Sequence, residues 1–388
     1  MEVRTMKIKS LLLGSAAVMA AVSGAQAADA IVVEPEPMEY VKVCDMYGAG
    51  FFYIPGTETC LKIGGYVRVQ YTVSHDEDHE STVSDHDSYA RAVLGFTAQN
   101  ETEYGTLGSQ ITVRWQAGET TDVHDEFSTS ETFDYTADLW VATINLAGFR
   151  AGFDADNGGA QNRYAGYGFY NANASGGYGF DTALFFEYGG NVGDWNYVVG
   201  IQESVYSGAS GAPDPYVGIS GSMGALSLGA VVIYDSNGFV SHDAGPFVED
   251  HDGGVYYKIR ADYDLSSFLP GGSIGAWWRA DHGKTDYVHG HQWGVTMKAN
   301  LTDKLVAFAG FSRYEGENDY ADGVDVFDPA DVDRWVAGVR WNVVSGLYVQ
   351  AEYFKTITSS ATTWNGTTAV FNDGDAAGGY TLRVHRSF

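Results

Sequence analysis

Residues 255–264 read VYYKIRADYD, a run in which apolar and polar side chains alternate with a period of two. In an extended strand, Tyr257 and Ile259 point to one face while Lys258 and Arg260 point to the other. This alternation predicts a strand whose two faces meet different surroundings, and it argues against a helix, which has a longer period. The same pattern recurs through most of the chain, so the sequence predicts an all-β fold.

Segments of this kind, each about ten residues long, recur from residue 61 to the C-terminus. Sixteen of them begin near residues 61, 89, 106, 133, 149, 179, 195, 215, 226, 254, 273, 291, 305, 334, 347 and 378. Connections after even-numbered segments are short, whereas most connections after odd-numbered segments are long. This sorting is typical of outer-membrane barrels. We therefore predict a 16-stranded antiparallel transmembrane β-barrel over residues 61–388, with short periplasmic turns and long external loops.

The two faces of the predicted strands are inverted relative to a soluble protein. One face stays polar along the chain, while the other is rich in Trp, Val, Leu, Phe and Ala. A wet inner face and an apolar outer face predict a water-filled lumen and contact with lipid. Sixteen strands are enough to leave such a lumen open. The net charge of −28 argues against a nucleic-acid partner, which needs a basic surface.

Charge is sorted between the predicted loops and the predicted lumen. Loops 74–88, 118–131, 235–253 and 315–333 are rich in Asp and Glu and contain no Lys or Arg. A basic wall is predicted on the lumen face, comprising Lys62, Arg68, Arg91, Arg114, Arg150, Arg260, Arg279, Arg334, Arg340 and Arg383. This wall is either one side of a transverse field at a constriction or the solvated face of a wet barrel. As a set, the charges of the basic wall bias the passage of ions through the lumen. The acidic external loops at the channel entrance have the opposite effect, because they favour cations.

The N-terminal segment has the pattern of a cleaved export signal. Residues 1–27 carry a basic start, a short apolar stretch and the cleavage-site sequence Ala25-Gln26-Ala27. Residues 28–60 follow, and they contain the chain's two cysteines, Cys44 and Cys60. In an exported chain, two cysteines at this separation predict a structural disulfide.

Three stretches of the sequence resemble one protein family. These are KSLLLGSAAVMAAVSGAQAADAIVVEPEP in the leader, EYVKVCDMYGAGFFYIPGTETCLKIGGYVR at 39–68, and the C-terminal Arg386-Ser387-Phe388. Together with the sixteen-segment pattern, they are similar to the general outer-membrane porins of alphaproteobacteria, the rhizobial and brucella type.

The resemblance implies a homotrimer of water-filled channels for the passive diffusion of small hydrophilic solutes and ions. It implies an outer-membrane location among lipid and lipopolysaccharide, and it makes Phe388 the terminal aromatic that the barrel assembly machinery reads. It also implies that loop 155–178 folds inward and narrows the pore. In members of this family the loop often contains many acidic residues, but here the acidic residues lie only at its start. The candidate constriction residues are Asp154, Asp156, Arg163, Tyr164, Tyr167 and Tyr170.

Other functions have weaker support in the sequence. A channel specific for a sugar or an anion stays open as an alternative, because the tyrosines of loop 155–178 could form an aromatic slide. The string at 271–275 matches the G-x-S-x-G motif of hydrolases, but it lies in a predicted turn with no helix after it. We therefore predict no enzymatic activity, no cofactor and no dedicated metal site, and we interpret the His-containing acidic loop 74–88 as solvated.

Overall fold

A computed structural model describes the chain from residue 42 to the C-terminus, with gaps in the connections between strands. The described ranges are 42–76, 85–125, 128–154, 184–203, 212–234, 236, 254–282, 289–317, 319–321, 324–327, 331–359, 361–364, 369–372 and 375–388. The predicted signal peptide and loop 155–178 therefore lie outside the described residues.

Sixteen strands form one antiparallel sheet that closes on itself. They are β1 (Cys60–Asp76), β2 (Asp85–Thr102), β3 (Gly105–Asp125), β4 (Ser128–Leu146), β5 (Phe149–Asp154), β6 (Leu184–Val192), β7 (Trp195–Gln202), β8 (Asp214–Met223), β9 (Leu226–Tyr234), β10 (Val255–Asp264), β11 (Ser273–His282), β12 (His289–Asn300), β13 (Leu305–Glu317), β14 (Val332–Val344), β15 (Leu347–Thr358) and β16 (Asp375–Ser387). Each strand pairs with the next along the chain, and β16 pairs with β1 from Tyr66↔Ser387 to Asp76↔Ala377. The predicted 16-stranded barrel is confirmed.

Smaller elements lie beside this sheet. A 3-10 helix spans Asp45–Tyr47, and the short strand Phe51–Tyr53 pairs with the start of β1. Two small hairpins, formed by Asp319–Ala321 with Val324–Phe327 and by Ala361–Trp364 with Ala369–Asn372, belong to the β13–β14 and β15–β16 connections. The described part of the chain has no helix with the length and hydropathy of a membrane span.

The connections after even-numbered strands are short, as predicted. Five of them are turns of two residues, at 103–104, 147–148, 193–194, 224–225 and 345–346. In the turn between β4 and β5, Ala147 has φ 52° and Gly148 has φ 88°. Positive φ at both positions is the geometry whose twist matches that of the flanking antiparallel strands.

One long loop of the prediction belongs mostly to the barrel sheet. Residues 118–131 were expected to leave the sheet, but β3 and β4 continue their pairing to Asp125↔Ser128 and leave only residues 126–127 between them. Apolar alternation fades in this acidic stretch because it has no lipid to face. Its threonines nevertheless suit a strand, since β-branched residues favour extended backbone, and hairpin pairing continues the ladder.

Burial is inverted across the wall of the barrel. On β10, Ile259 is 51% exposed, whereas its neighbours Lys258 and Arg260 are 0% and 7% exposed. Many large apolar side chains are exposed, among them Val69, Phe186 and Leu382, whereas the buried set includes Gln70, Thr296 and Gln350. The polar face therefore lines the interior and the apolar face forms the outer surface, as the alternation predicts.

Candidate functional site: the barrel lumen

The predicted basic wall lies on the interior face of the strands. Strand alternation, followed through the cross-strand pairs, puts all ten of its members at inward positions. Their surroundings differ, however, and they fall into two groups by the chemistry of the side chains that accept their hydrogen bonds.

The first group pairs with carboxylates. Arg114 on β3 donates to Asp138 on β4, with 3.1 Å from its Nε to Oδ2. Arg260 on β10 donates twice to Asp262 on the same strand, at 2.6 Å from both Nε and Nη2. Each pair brings opposite charges together, so its net contribution to the field in the lumen is small.

A third member of this group lies in a denser network. Arg150 on β5 donates to Asp154 at 2.8 Å and to Glu187 on β6 at 3.3 Å. Glu187 also accepts a 2.6 Å hydrogen bond from the hydroxyl of Tyr216 on β8. Asp154, a candidate constriction residue, is therefore held against the wall by Arg150 and is only 2% exposed.

The second group donates to neutral acceptors. Arg383 on β16 donates to the side-chain oxygen of Gln70 on β1, at 2.9 Å from Nε and 2.5 Å from Nη2. The same oxygen accepts from the hydroxyl of Tyr89 at 3.0 Å. Arg91 on β2 donates from Nε to the side-chain oxygen of Gln116 on β3 at 2.8 Å. An amide oxygen fixes a guanidinium without neutralising its charge.

Two further arginines belong to this second group. Arg68 on β1 donates from Nε to Nδ1 of His385 on β16 at 3.4 Å. Arg340 on β14 donates to the side-chain oxygen of Gln350 on β15 at 2.9 Å from Nε and 2.6 Å from Nη2. The amide nitrogen of Gln350 then donates to Glu352 at 2.9 Å.

The remaining basic residues lie apart from both groups. The ammonium of Lys62 is 5.7 Å from the ring centroid of Phe51, beside the short N-terminal strand. Arg279 on β11 is directly opposite Lys258 on β10. Arg334 is near the β14 end that follows the β13–β14 connection, and it is exposed. The structure does not bring the ten basic residues into one patch.

An apolar patch on the lumen face was not predicted. Val198, Tyr216, Val231, Ile233 and Tyr256 form one buried cluster across β7 to β10. The signal was present in β9, where the run AVVI at 230–233 is apolar on both faces rather than alternating. A buried apolar surface inside a water-filled barrel needs a cover, because leaving it wet would cost its transfer free energy.

The other predicted site residues have mixed outcomes. Asp156, Arg163, Tyr164, Tyr167 and Tyr170 lie outside the described residues. Cys44 and Cys60 form the predicted disulfide. No group of three or more His, Cys, Asp or Glu in the described residues is arranged to hold a metal ion.

The terminal aromatic joins the two ends of the barrel. The backbone N–H of Phe388 donates to the Gly65 carbonyl at 3.0 Å, and Gly65 N–H donates to the Phe388 carbonyl at 3.1 Å. These two bonds extend the β16–β1 seam by one residue beyond Ser387.

Comparison with known proteins identifies the family of this barrel. The family described as "Porin subfamily" matches residues 29–380. The chain belongs to this porin subfamily. The porin is 33% identical over 410 residues to Porin Omp2a of Brucella canis, covering 99% of this chain and 100% of that protein. The expected alphaproteobacterial, brucella-type family is therefore confirmed, and the chain is an outer-membrane porin.

Solved structures share the fold of the porin at low sequence identity. The outer-membrane channel DcaP of Acinetobacter baumannii aligns with a TM-score of 0.61 at 13% identity, over 87% of this chain and 99% of that chain. The trimer form of OmpT from Vibrio cholerae aligns with a TM-score of 0.50 at 13% identity, over 86% of this chain and 100% of that chain. The barrel architecture is thus common to outer-membrane channels.

Proposed function

We propose that this porin works as a homotrimer of water-filled channels, each narrowed by residues 155–178, for the passive diffusion of small hydrophilic solutes and ions. The observation that carries the proposal is the inverted barrel, with polar side chains such as Lys258, Thr296 and Gln350 inside and exposed apolar side chains outside. Membership of the porin family implies a channel rather than an enzyme.

The narrowing of the pore by residues 155–178 is supported by the lumen wall itself. The apolar cluster of Val198, Tyr216, Val231, Ile233 and Tyr256 is buried, although it faces the interior. Loop 155–178 leaves the barrel after β5 and is rich in tyrosine, which suits contact with such a surface. Asp156, Arg163, Tyr164, Tyr167 and Tyr170 would then border the narrowest passage, and Asp154 would hold the entry of the loop against Arg150.

The trimeric assembly is supported by the outer surface and by a structural neighbour. OmpT of Vibrio cholerae has been solved in a trimer form. In this porin, the outward face of β1 to β4 has a shallow apolar hollow lined by Ala90, Ala92, Ala117 and Ala137 with Trp115 at its side. Small side chains allow close approach of a second apolar surface within the membrane. We propose this face as the contact between protomers, with lipid and lipopolysaccharide around the rest.

Solute flux into liposomes tests the proposed channel. We expect proteoliposomes containing the purified porin to swell in isotonic solutions of small neutral sugars, at rates that fall as the sugar becomes larger. A variant lacking residues 163–170 should admit larger sugars, because these residues border the proposed narrowing. Proteoliposomes that do not swell with any sugar would overturn the diffusion channel, and an unchanged size limit in the variant would overturn the role of the loop.

A further inference from the structure

The arginines with neutral acceptors lie in two adjacent rows of cross-strand neighbours. The first row runs through Arg340, Gln350, Arg383, Gln70 and Tyr89, on five consecutive strands around the closed barrel. Each residue of the row is directly opposite the next in the antiparallel register. All five side chains lie on the lumen face.

The second row lies two residues further along β15, β16, β1 and β2, and it continues onto β3. It runs through Tyr348, His385, Arg68, Arg91 and Gln116. Two residues of a strand correspond to about 7 Å, and neighbouring strands are about 4.8 Å apart. Arg68, Arg91 and Arg383 therefore lie in one compact area of the wall, with Arg340 at its edge. We use the name arginine rows for these four arginines alone, without the other residues of the two rows.

The fold places like charges next to each other in the arginine rows. Arg68 and Arg91 are directly opposite across β1 and β2, an arrangement that destabilises a sheet when both residues carry the same charge. Their guanidinium carbons lie 4.9 Å and 4.8 Å from the ring centroids of Tyr66 and Tyr89. The aromatic faces and the neutral acceptors hold the guanidiniums in position while leaving their positive charge in place.

The carboxylates of Glu352 and Asp87 lie at the border of the arginine rows. Glu352 is reached through Gln350, and Asp87 lies four residues from Arg91 on the same strand. By contrast, Arg114, Arg150 and Arg260 each bond directly to a carboxylate. Within the described residues, Arg68, Arg91 and Arg383 thus donate to neutral acceptors, whereas Arg114, Arg150 and Arg260 are each neutralised by a directly bonded carboxylate.

We infer that the arginine rows form a binding site for multivalent oxyanions, such as phosphate or a phosphorylated solute, on the lumen wall. Guanidinium groups bind such anions through paired N–H donors in a planar fork. An anion between Arg68 and Arg91 also relieves their repulsion. The inference rests on the proposed channel and deepens it, because it names a class of solute that the channel retains during passage.

Conductance in the presence of phosphate tests this site. Single channels of the intact porin are recorded in potassium chloride at pH 8 while inorganic phosphate is added at constant ionic strength. We expect a saturable fall in conductance. In the double variant Arg68→Gln/Arg91→Gln, half-saturation should require at least about tenfold more phosphate, since the anion loses its charge-assisted hydrogen bonds to both guanidiniums.

A matched control separates the site from total charge. The double variant Arg114→Gln/Arg260→Gln removes the same number of positive charges from the lumen, but from arginines that pair with Asp138 and Asp262. It should keep the phosphate effect of the unaltered porin. Channels that conduct chloride but show no saturable phosphate effect, or an equal loss in both variants, would overturn the site and leave the porin function intact. A complete lack of conductance in the unaltered porin would instead overturn the channel itself.

Discussion

Gly65 lies where β1 contacts both β2 and the C-terminus, and this position has no room for a side chain. A Cβ there would collide with the backbone carbonyl oxygen of Val93 and lie 3.2 Å from the ring of Phe388. Its neighbour Gly64 is different, because a Cβ there would meet only the Phe388 carbonyl oxygen at 3.4 Å, an ordinary contact. Two adjacent glycines therefore have unequal structural roles at the seam of the barrel.

We predict that Gly65→Ala lowers the temperature at which the purified barrel unfolds, while Gly64→Ala changes it little. The physical reason is that backbone must move to admit a methyl group at Gly65, which weakens the Gly65–Phe388 hydrogen bonds. The heat-induced mobility shift in gel electrophoresis measures the unfolding. Equal effects of the two substitutions would contradict this account of the seam.

The side chain of Phe388 allows a different prediction at the same scale. It is 63% exposed, and its backbone makes the two seam bonds whatever the side chain is. We therefore expect Phe388→Ser to reduce the amount of porin in the outer membrane far more than it reduces the stability of barrels refolded in detergent, with Phe388→Tyr as the control. Normal membrane levels of Phe388→Ser would contradict a role for this residue in recognition by the assembly machinery.

Among the elements, the short strand Phe51–Tyr53 and the start of β1 form a hairpin, which we call the N-terminal hairpin. It covers the part of β1 that β16 does not reach. Pairing between β1 and β16 begins at Tyr66, and the short strand Phe51–Tyr53 pairs instead with residues 60–62. The Cys44–Cys60 disulfide and the hydrogen bond from the Tyr47 hydroxyl to Glu101, at 2.9 Å, tie this hairpin to the barrel. The hairpin thus continues the sheet at residues 60–62 of β1, next to the point where the pairing of β1 with β16 ends.

We predict that removing the disulfide releases the hairpin without altering the pore. In the double variant Cys44→Ser/Cys60→Ser, residues 42–59 should become sensitive to added protease, because a cross-link over this separation contributes about 3 kcal/mol in the chain-entropy description. Chloride conductance should stay the same, since the substitutions leave the arginine rows on the lumen face unchanged. Protease resistance equal to that of the oxidised porin would show that the strand pairing alone holds the hairpin.

The elements also show what the sequence could and could not predict. Most strands begin within two residues of the predicted position, because lipid outside and water inside impose a period of two on most of the strands. The prediction was wrong at 118–131, where β3 and β4 extend past the apolar pattern. The position of the basic residues on the lumen face could be predicted from strand alternation alone. Their division into carboxylate-paired and amide-paired arginines could not, because it depends on the register between distant strands such as β1 and β16.

At the scale of the whole molecule, the proposed trimer contact can be separated from general effects on the outer surface. Ala117 lies in the apolar hollow on β3, and Ala276 is an exposed outward alanine on β11, on the opposite side of the barrel. We predict that Ala117→Trp converts the porin to monomers in mild detergent, because the larger ring fills the hollow, whereas Ala276→Trp leaves the trimer intact. Light scattering coupled to size-exclusion chromatography measures the mass. A monomeric unaltered porin would contradict the trimer, and a trimeric Ala117→Trp variant would contradict the proposed contact face.

A closed sixteen-stranded barrel that encloses a continuous aqueous channel conducts ions, and single-channel recording in a planar lipid bilayer measures that conduction. We expect discrete conductance steps in potassium chloride, grouped in threes when trimers insert, with step size proportional to bulk salt conductivity at high salt. Folded, inserted porin that produces no conductance steps would contradict a water-filled lumen.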